Sequence, residues 1–336
     1  MKQVKFAIIG TSVITKYFLE VASSVPEFTL TAVYSRDLQK AKDFGASYGA
    51  TVFYDSLEAL AADQEIDAVY IASPNSCHAA QTIQLMKAGK HVLCEKPIAS
   101  NAAEVKEMQK VAKENGVVLL EAMRSVHDPA FLEIKEHLKK LGTLRYASLQ
   151  FCQYSSKYDA FKAGADCNIF NPIYSAGALM DIGIYCIEAM LALFGEPLLV
   201  TGMGTFLRGG IDGAGAILAK YEEMIVELTY SKITGSQLPS QIQGEKGVMY
   251  ISKIAEPNEV RIVYNDGAEE VIDLPVCKNN MVYELETFIK AVKGQKDADE
   301  FAQLSRGAIR ITDEVRRQIG LTFPADQKIG ENAYED

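Results

Sequence analysis

"AIIGTSVITKYF", residues 7–18, continues the apolar run that begins at Val4 and reads as a strand that ends in a glycine turn and opens a helix. In a dinucleotide-binding turn the first glycine makes the tight bend, the second admits a pyrophosphate to the backbone, and the third lets helix and strand pack closely. Gly10 keeps the first of these places, while Ser12 and Thr15 stand in the other two. A single glycine is a weak signal, and an ordinary strand-to-helix turn with a Ser or Thr cap explains the same letters. Position strengthens it: first-turn amides at a strand end attract phosphate, and the hydroxyls of Thr11, Ser12 and Thr15 add donors. Gly10, Thr11, Ser12, Val13 and Ile14 are therefore the expected cradle for a cofactor.

Outward from this turn one grammar repeats: a short apolar run, a turn, then helical periodicity. "TLTAVYS", "TVFY", "DAVYIAS", "KHVLCE" and "GVVLLEA" read as strands, with helices near 14–25, 38–48, after Asp55, 77–88 and 101–115 between them. Strands apolar on consecutive residues and separated by helices imply a parallel sheet covered on both faces. Residues 1–122 are thus expected to form a doubly wound α/β domain. After an amphipathic helix at 129–141 the pattern changes. "LRYASLQFCQY", "LLVTGMGTFL", "GAGAILAKY", "MIVELTYSKI", "SQIQGEKGVMYIS", "EVRIVYND" and "EEVIDLP" predict an open, mainly antiparallel sheet of about half a dozen strands in an α+β domain, 123–336. "YNDGAE" is the strongest hairpin signal. Helices resume near 282–292 and 303–319, and the polar ending, "ADQKIGENAYED", is expected to be loosely held.

A chain of 336 residues exceeds the usual single-domain size, in keeping with two cores. Its net charge of −10, without a basic block, disfavours nucleic acid. The apolar stretch after Met1 is too short for a signal peptide or membrane helix, so a cytoplasmic protein without membrane association is expected. Six scattered cysteines with no CxxC pair point to neither a zinc site nor a disulfide scaffold.

The cofactor is read at the end of the second strand. About 20 to 25 residues past the turn an NAD enzyme places an acid on the ribose, whereas an NADP enzyme places Arg and small polar donors. The chain reads "VYSRD": Ser35 and Arg36 favour NADP, and Asp37 leaves NAD open. Ligands of such sheets lie outside the carboxyl ends of the strands. There "SPNSCH" supplies Ser73, Pro74, Asn75 and His78 as cofactor neighbours, and "CEKP" supplies Glu95 and Lys96. Desolvation and a neighbouring carboxylate pull a lysine's pKa in opposite directions, which suits proton transfer. A second constellation is "SAGALMDIGIYCIEAM", 175–190, in which Asp181 and Tyr185 stand four apart, on one face if helical. A buried Asp–Tyr hydrogen bond in a core helix is the structural alternative.

"GTSVIT", "SPNSCH", "CEKP" and "GALMDIGIY", in this order and spacing, resemble the glucose fructose oxidoreductase, inositol dehydrogenase and MocA (Gfo/Idh/MocA) family over residues 4–325. The resemblance implies a nicotinamide-dependent oxidoreductase with an N-terminal Rossmann domain and a C-terminal domain whose open sheet makes the oligomer contact, as a dimer or tetramer. Lys96 inherits the role of proton donor or acceptor, Glu95 lies near the nicotinamide ribose, and Asp181 orients substrate and lysine. Many members carry histidine where this chain has Tyr185, a departure shared with the glucose fructose oxidoreductase and dihydrodiol dehydrogenase branches. "SAG" replaces three glycines ahead of the helix. Arg124, Lys157, Tyr158 and Asn168 are expected on the substrate side. The implied reaction moves hydride between nicotinamide and a hydroxyl or carbonyl carbon of a sugar, polyol or related small molecule, with Lys96 and Tyr185 handling the proton and no metal required. A cofactor-binding sensor on the same scaffold, or a non-redox reaction with the cofactor recycled, are the alternatives.

Overall fold

The alternation that starts at Val4 folds, in a computed structural model of the chain, into six strands: β1 (Val4–Ile9), β2 (Phe28–Tyr34), β3 (Val52–Tyr54), β4 (Ala68–Ile71), β5 (His91–Glu95) and β6 (Leu119–Ala122). The structure describes residues 3–275 and 277–328. All six strands pair in parallel, in the order β3-β2-β1-β4-β5-β6. The crossovers are α1 (Val13–Ala22), α2 (Leu38–Ala46), α3 (Leu57–Ala62), α4 (Asn75–Lys87) and α5 (Ala102–Asn115). Every residue of β4 is buried, because a strand between helix layers has no wet face. Helix ends follow local chemistry: the Asn101 side chain accepts from Glu104 N at 3.0 Å, and Gly116 closes α5 in the left-handed region at φ 64°. Between them Val105, Met108, Val111 and Ala112 make the buried stripe.

The chain divides into two compact units, Met1–Arg124 with Asn279–Arg306, and Ser125–Lys278 with Gly307–Asp336. Dividing the chain at 122/123 alone therefore misplaces one segment. Residues 279–306 carry helix α10 (Met281–Val292), and its Phe288 ring lies 5.7 Å from Phe6 of β1. Asn279 also donates its side-chain amide to Tyr17 O at 3.2 Å. An apolar stripe distant in sequence covers the first sheet, which no local pattern reveals.

The second unit holds short helices α6 (Arg124–His127), α7 (Pro129–His137) and α8 (Tyr158–Lys162), and the core helix α9 (Ile184–Phe194). Its sheet comprises β7 (Leu144–Cys152), β8 (Leu199–Phe206), β9 (Asp212–Lys220), β10 (Ile225–Ser231), β11 (Ser240–Gly244), β12 (Gly247–Ile251), β13 (Val260–Tyr264) and β14 (Glu269–Ile272). The order is β14-β13-β12-β11-β7-β10-β9-β8, antiparallel except for the β7–β10 pair. There are eight strands rather than half a dozen, in part because residues 240–252 make two strands around a tight turn. The "YNDGAE" hairpin forms as read, with Gly267 at φ +88°. The run Pro172–Phe194 is long and apolar enough to cross a membrane, yet 83% of its most apolar window is buried inside the protein. Such all-round apolarity is that of a core helix. Helices α10 (Met281–Val292) and α11 (Asp299–Ile319) follow. The start of the polar ending is held rather than loose: Arg316 Nη1 donates to Asp326 Oδ2 at 2.8 Å, and Asp326 also accepts from Phe323 N. Residues 329–336 of that ending lie outside the described residues.

Gly10 sits at φ +106°, and a Cβ there would meet the Ala72 carbonyl oxygen at 2.4 Å. Gly10→Ala therefore suffers both backbone strain and a clash with unyielding main chain, and a loss of about 2–4 kcal/mol in unfolding free energy is expected. Urea denaturation measures it; an unshifted midpoint would contradict the close β1–β4 approach.

Candidate active site

Where β1 and β4 lie side by side the strand order reverses, and a crevice opens beyond their carboxyl ends. Ser12 is the N-cap of α1 in an extended conformation, φ −86° and ψ 179°, and its side chain makes no cap bond. The first-turn amides are thus left for an outside acceptor. Val13 is exposed despite being apolar, whereas Thr15, expected to offer a hydroxyl, is fully buried.

At the end of β2 the acid that left NAD open is spoken for. Asp37 Oδ1 accepts from Gln39 N at 2.9 Å and Lys40 N at 3.1 Å, capping α2. Ser35 and Arg36 stand beside it, with Arg36 exposed. An open pocket of about 560 Å³ adjoins them, lined by Thr11, Lys16, Asp37 and Lys40 among others. A site with its carboxylate capped and cations on its wall fits a phosphate-bearing ribose. Lys16 and Lys40 escaped the sequence reading; their one signal is a basic residue in the first turn of each helix flanking the crevice.

Beyond β4 and β5 the structure departs from expectation at His78. Its side chain is fully buried, with Nδ1 2.9 Å from Pro97 O and Nε2 2.9 Å from Ser73 O. A ring closed off from solvent cannot face a cofactor; His78 braces the two loops that follow β4 and β5. Burial holds its pKa below the usual value, and a neutral ring donates to one carbonyl at a time. Pro74 is the N-cap of α4, and Ser73 donates its hydroxyl to Gln81 Oε1 at 2.7 Å.

Glu95 ends β5 buried, and Lys96 follows it half-buried, joined to Pro97 by a cis peptide. Phe18 of α1 stacks on Tyr70 at 3.8 Å, and the Tyr70 hydroxyl donates to Glu95 Oε1 at 2.5 Å. Burial pushes the Glu95 carboxyl up while the Lys96 charge pulls it down. Two more buried acids lie close: Glu121 Oε1 accepts from Ile98 N at 2.9 Å, and Glu284 of α10 is pushed well up by burial and by Glu95. Arg124, expected toward substrate, offsets Glu284 and adds a smaller pull to that of Lys96 on Glu95.

In the second unit, Asp181 lies in a π-helical turn, Leu179–Gly183, that runs into α9, where Tyr185 is almost buried against Phe151 with ring centroids 5.5 Å apart. Asp212, buried at the start of β9, holds this turn in place: its Oδ2 accepts from Leu179 N at 2.7 Å. A Cβ on Gly177 would lie 2.0 Å from Asp212 Oδ1, so this glycine is required by space as well as by its φ of +107°. The "SAG" turn survives the loss of glycines because Ser175 itself takes φ 52°, at a cost of roughly 1–2 kcal/mol. Lys232 Nζ, unforeseen from sequence, lies 2.5 Å from Asp181 Oδ2. Of the loop residues expected on the substrate side, Lys157 and Asn168 are exposed, and Tyr158 packs on Phe170 at 5.7 Å as part of an aromatic cluster.

A Rossmann unit whose first helix starts without a side-chain cap and whose fifth strand ends at a lysine, in one chain with a largely antiparallel unit, defines a two-domain nicotinamide oxidoreductase architecture. The chain belongs to the Gfo/Idh/MocA family. Residues 4–123 match the oxidoreductase family with NAD-binding Rossmann fold, and 131–250 match the GFO/IDH/MocA C-terminal domain. It is 46% identical to scyllo-inositol 2-dehydrogenase (NADP(+)) IolU of Bacillus subtilis, covering 96% of this chain and 99% of the relative. It is 30% identical to trans-1,2-dihydrobenzene-1,2-diol dehydrogenase of Mus musculus, again over 96% and 99%. The fold is similar to KijD10, a 3-ketoreductase from Actinomadura kijaniata, at TM-score 0.86 and 23% identity, covering 95% and 98% of the two chains.

Burial raises the Asp212 carboxyl to about 7, well above its ordinary value of 3.8. The folded chain then holds a proton that the unfolded chain releases, so this group's contribution falls as pH rises through 4 to 7 and levels off above. Relative to Asp212→Asn, the wild type should lose about 4 kcal/mol at most across that range. Denaturant unfolding of both proteins from pH 4 to 8 checks this, and parallel curves would place the proton elsewhere.

Proposed function

We propose that the protein is an NADP-preferring dehydrogenase or reductase that interconverts a hydroxyl and a carbonyl on a sugar, polyol or related small molecule. The observation that carries this is Lys96, half-buried at the carboxyl end of β5 beside an enclosed Glu95. Family membership and the NADP dependence printed for the Bacillus subtilis relative support it. Gly10, Thr11, Ser12, Val13 and Ile14 would hold the pyrophosphate, with Ser35, Arg36 and Lys40 at the 2′-phosphate. Ser73, Pro74, Asn75 and Glu95 would line the nicotinamide end. When bound, nicotinamide supplies or accepts the hydride.

The remaining chemistry belongs to side chains. As a hydroxyl carbon is oxidised its oxygen must shed a proton, and Lys96 Nζ takes it; in reduction the ammonium returns it and stabilises the developing alkoxide. Glu95 lies beside that ammonium, which offsets part of the burial that pushes its carboxyl up. Tyr185 shares the proton and Asp181 orients the substrate hydroxyl. The outer face of the second sheet, with Leu199, Met203, Leu218 and Ile225 exposed, supports assembly into dimers or tetramers.

Lys96→Met should lower kcat by at least about a thousandfold on a polyol panel while leaving NADPH affinity within about twofold. Full turnover in that variant would reject the assignment, and silence of the wild type with both nicotinamides would favour the sensor alternative. Arg36→Ala should weaken NADPH about ten- to hundredfold and NADH hardly at all, by fluorescence titration. Equal losses would mean that Arg36 does not read the extra phosphate.

A further inference from the structure

Tyr70 is a phenol where packing alone asks for a phenylalanine. It lies fully buried in β4, and its ring stacks on Phe18 of α1 at 3.8 Å with the two planes 5° apart. Phe18 is backed in turn by Phe28 of β2, edge-on at 6.1 Å. Close packing of this kind fixes the plane of the ring, and because the hydroxyl lies on the ring axis even a ring flip leaves it in place.

Strand register gives that hydroxyl its target. Tyr70 pairs with Leu93 of β5, and side chains alternate along a strand, so Glu95, two residues further on, stands on the same face. The Tyr70 hydroxyl donates to Glu95 Oε1 at 2.5 Å, and Glu95 Oε2 accepts from Lys96 N at 3.3 Å. One carboxyl oxygen is tied to the neighbouring strand and the other to the residue that carries the ammonium. Burial pushes the Glu95 carboxyl up, while the Lys96 charge, the Tyr70 hydroxyl, the Lys96 amide and Arg124 pull it back. Glu284 faces this group from α10 as a second buried acid, pushed well up by burial and by Glu95, with Arg124 acting against them and Glu121 adding to them. Cys94, next to Glu95 on β5, is a thiol that burial keeps protonated, so it adds no charge.

We propose that Tyr70 is a positioning residue for the proton step: its hydroxyl keeps the Glu95 carboxylate turned toward Lys96, and that carboxylate holds the Lys96 ammonium in place. This rests on the reading of Lys96 as the proton-transfer group. A lysine is a point charge on a flexible four-carbon stem, so an ammonium at a strand end needs a fixed counter-charge to keep one position. A hydrogen bond donated to a carboxylate favours its charged form, so Tyr70 also widens the pH range over which the ion pair exists. Protonation of Glu95 releases the ammonium. Fully buried, Tyr70 acts through Glu95 rather than on a reactant.

The test compares the full-length wild type with Tyr70→Phe, which keeps the stack and removes the donor, and with Glu95→Gln. NMR of protein labelled at its glutamate side-chain carboxyl carbons, with the Glu95 signal assigned by its loss in Glu95→Gln, follows that carboxyl across acid and neutral pH without turnover. Its midpoint should rise by about one unit in Tyr70→Phe, roughly a tenfold gain in proton affinity. NADPH-dependent reduction of the ketone formed by oxidising one carbon of scyllo-inositol reads the consequence. The acidic limb of kcat against pH should coincide with the Glu95 midpoint in the wild type and move up with it in Tyr70→Phe, the basic limb staying where it is. In Glu95→Gln the acidic limb should disappear, and adding Tyr70→Phe should cost nothing more. An unmoved Glu95 midpoint, a kcat lowered equally at every pH, or a further loss in the double variant would overturn the proposal. Turnover that survives Lys96→Met would instead overturn the proton-transfer reading and leave the carboxyl titration standing.

Discussion

Parallel pairing is the constraint on which the first unit depends. Strands that all run one way must deliver their carboxyl ends to one edge, and the order β3-β2-β1-β4-β5-β6 opens that edge between β1 and β4. Gly10 lets those two ends approach within a distance that no side chain tolerates. From this follow the uncapped amides of α1 and the positions of Ser35 and Arg36 after β2 and of Lys96 after β5. The same edge is braced internally: His78 bridges the loops after β4 and β5, and the Phe18–Tyr70 stack aims a hydroxyl at Glu95.

The second unit solves a different problem, that of holding polar groups inside an apolar core. Helix α9 is buried nearly all round, yet the turn ahead of it must present Asp181. Asp212 makes this possible by accepting an amide of that turn, and Gly177 leaves room for its carboxylate. The arrangement buries an acid whose proton is held near neutrality, so the element carrying Asp181 and Tyr185 rests on a group that titrates in the working range. In the first unit the enclosed acids Glu95 and Glu284 share the influence of Arg124, a second case of charge kept where solvent is excluded.

Short-range signals made much of this legible. Consecutive apolar runs followed by helical periodicity define a doubly wound sheet, because burial on both faces leaves no other pattern, and turn chemistry such as "NDG" reports a hairpin directly. The strand-end position of Lys96 and the four-residue spacing of Asp181 and Tyr185 singled these residues out, and the motifs "CEKP" and "GALMDIGIY" then identified the family and gave them roles. What local sequence determined about this protein is therefore the existence of its elements, their class and the residues that stand at strand ends. Tertiary structure alone decided that α10 covers the first sheet, that the Asp37 side chain caps α2, that His78 is a brace, and that Lys232 pairs with Asp181. Each of these joins residues through space, and burial or hydrogen-bond capacity is spent by whichever partner the fold brings near, which no spacing along the chain records.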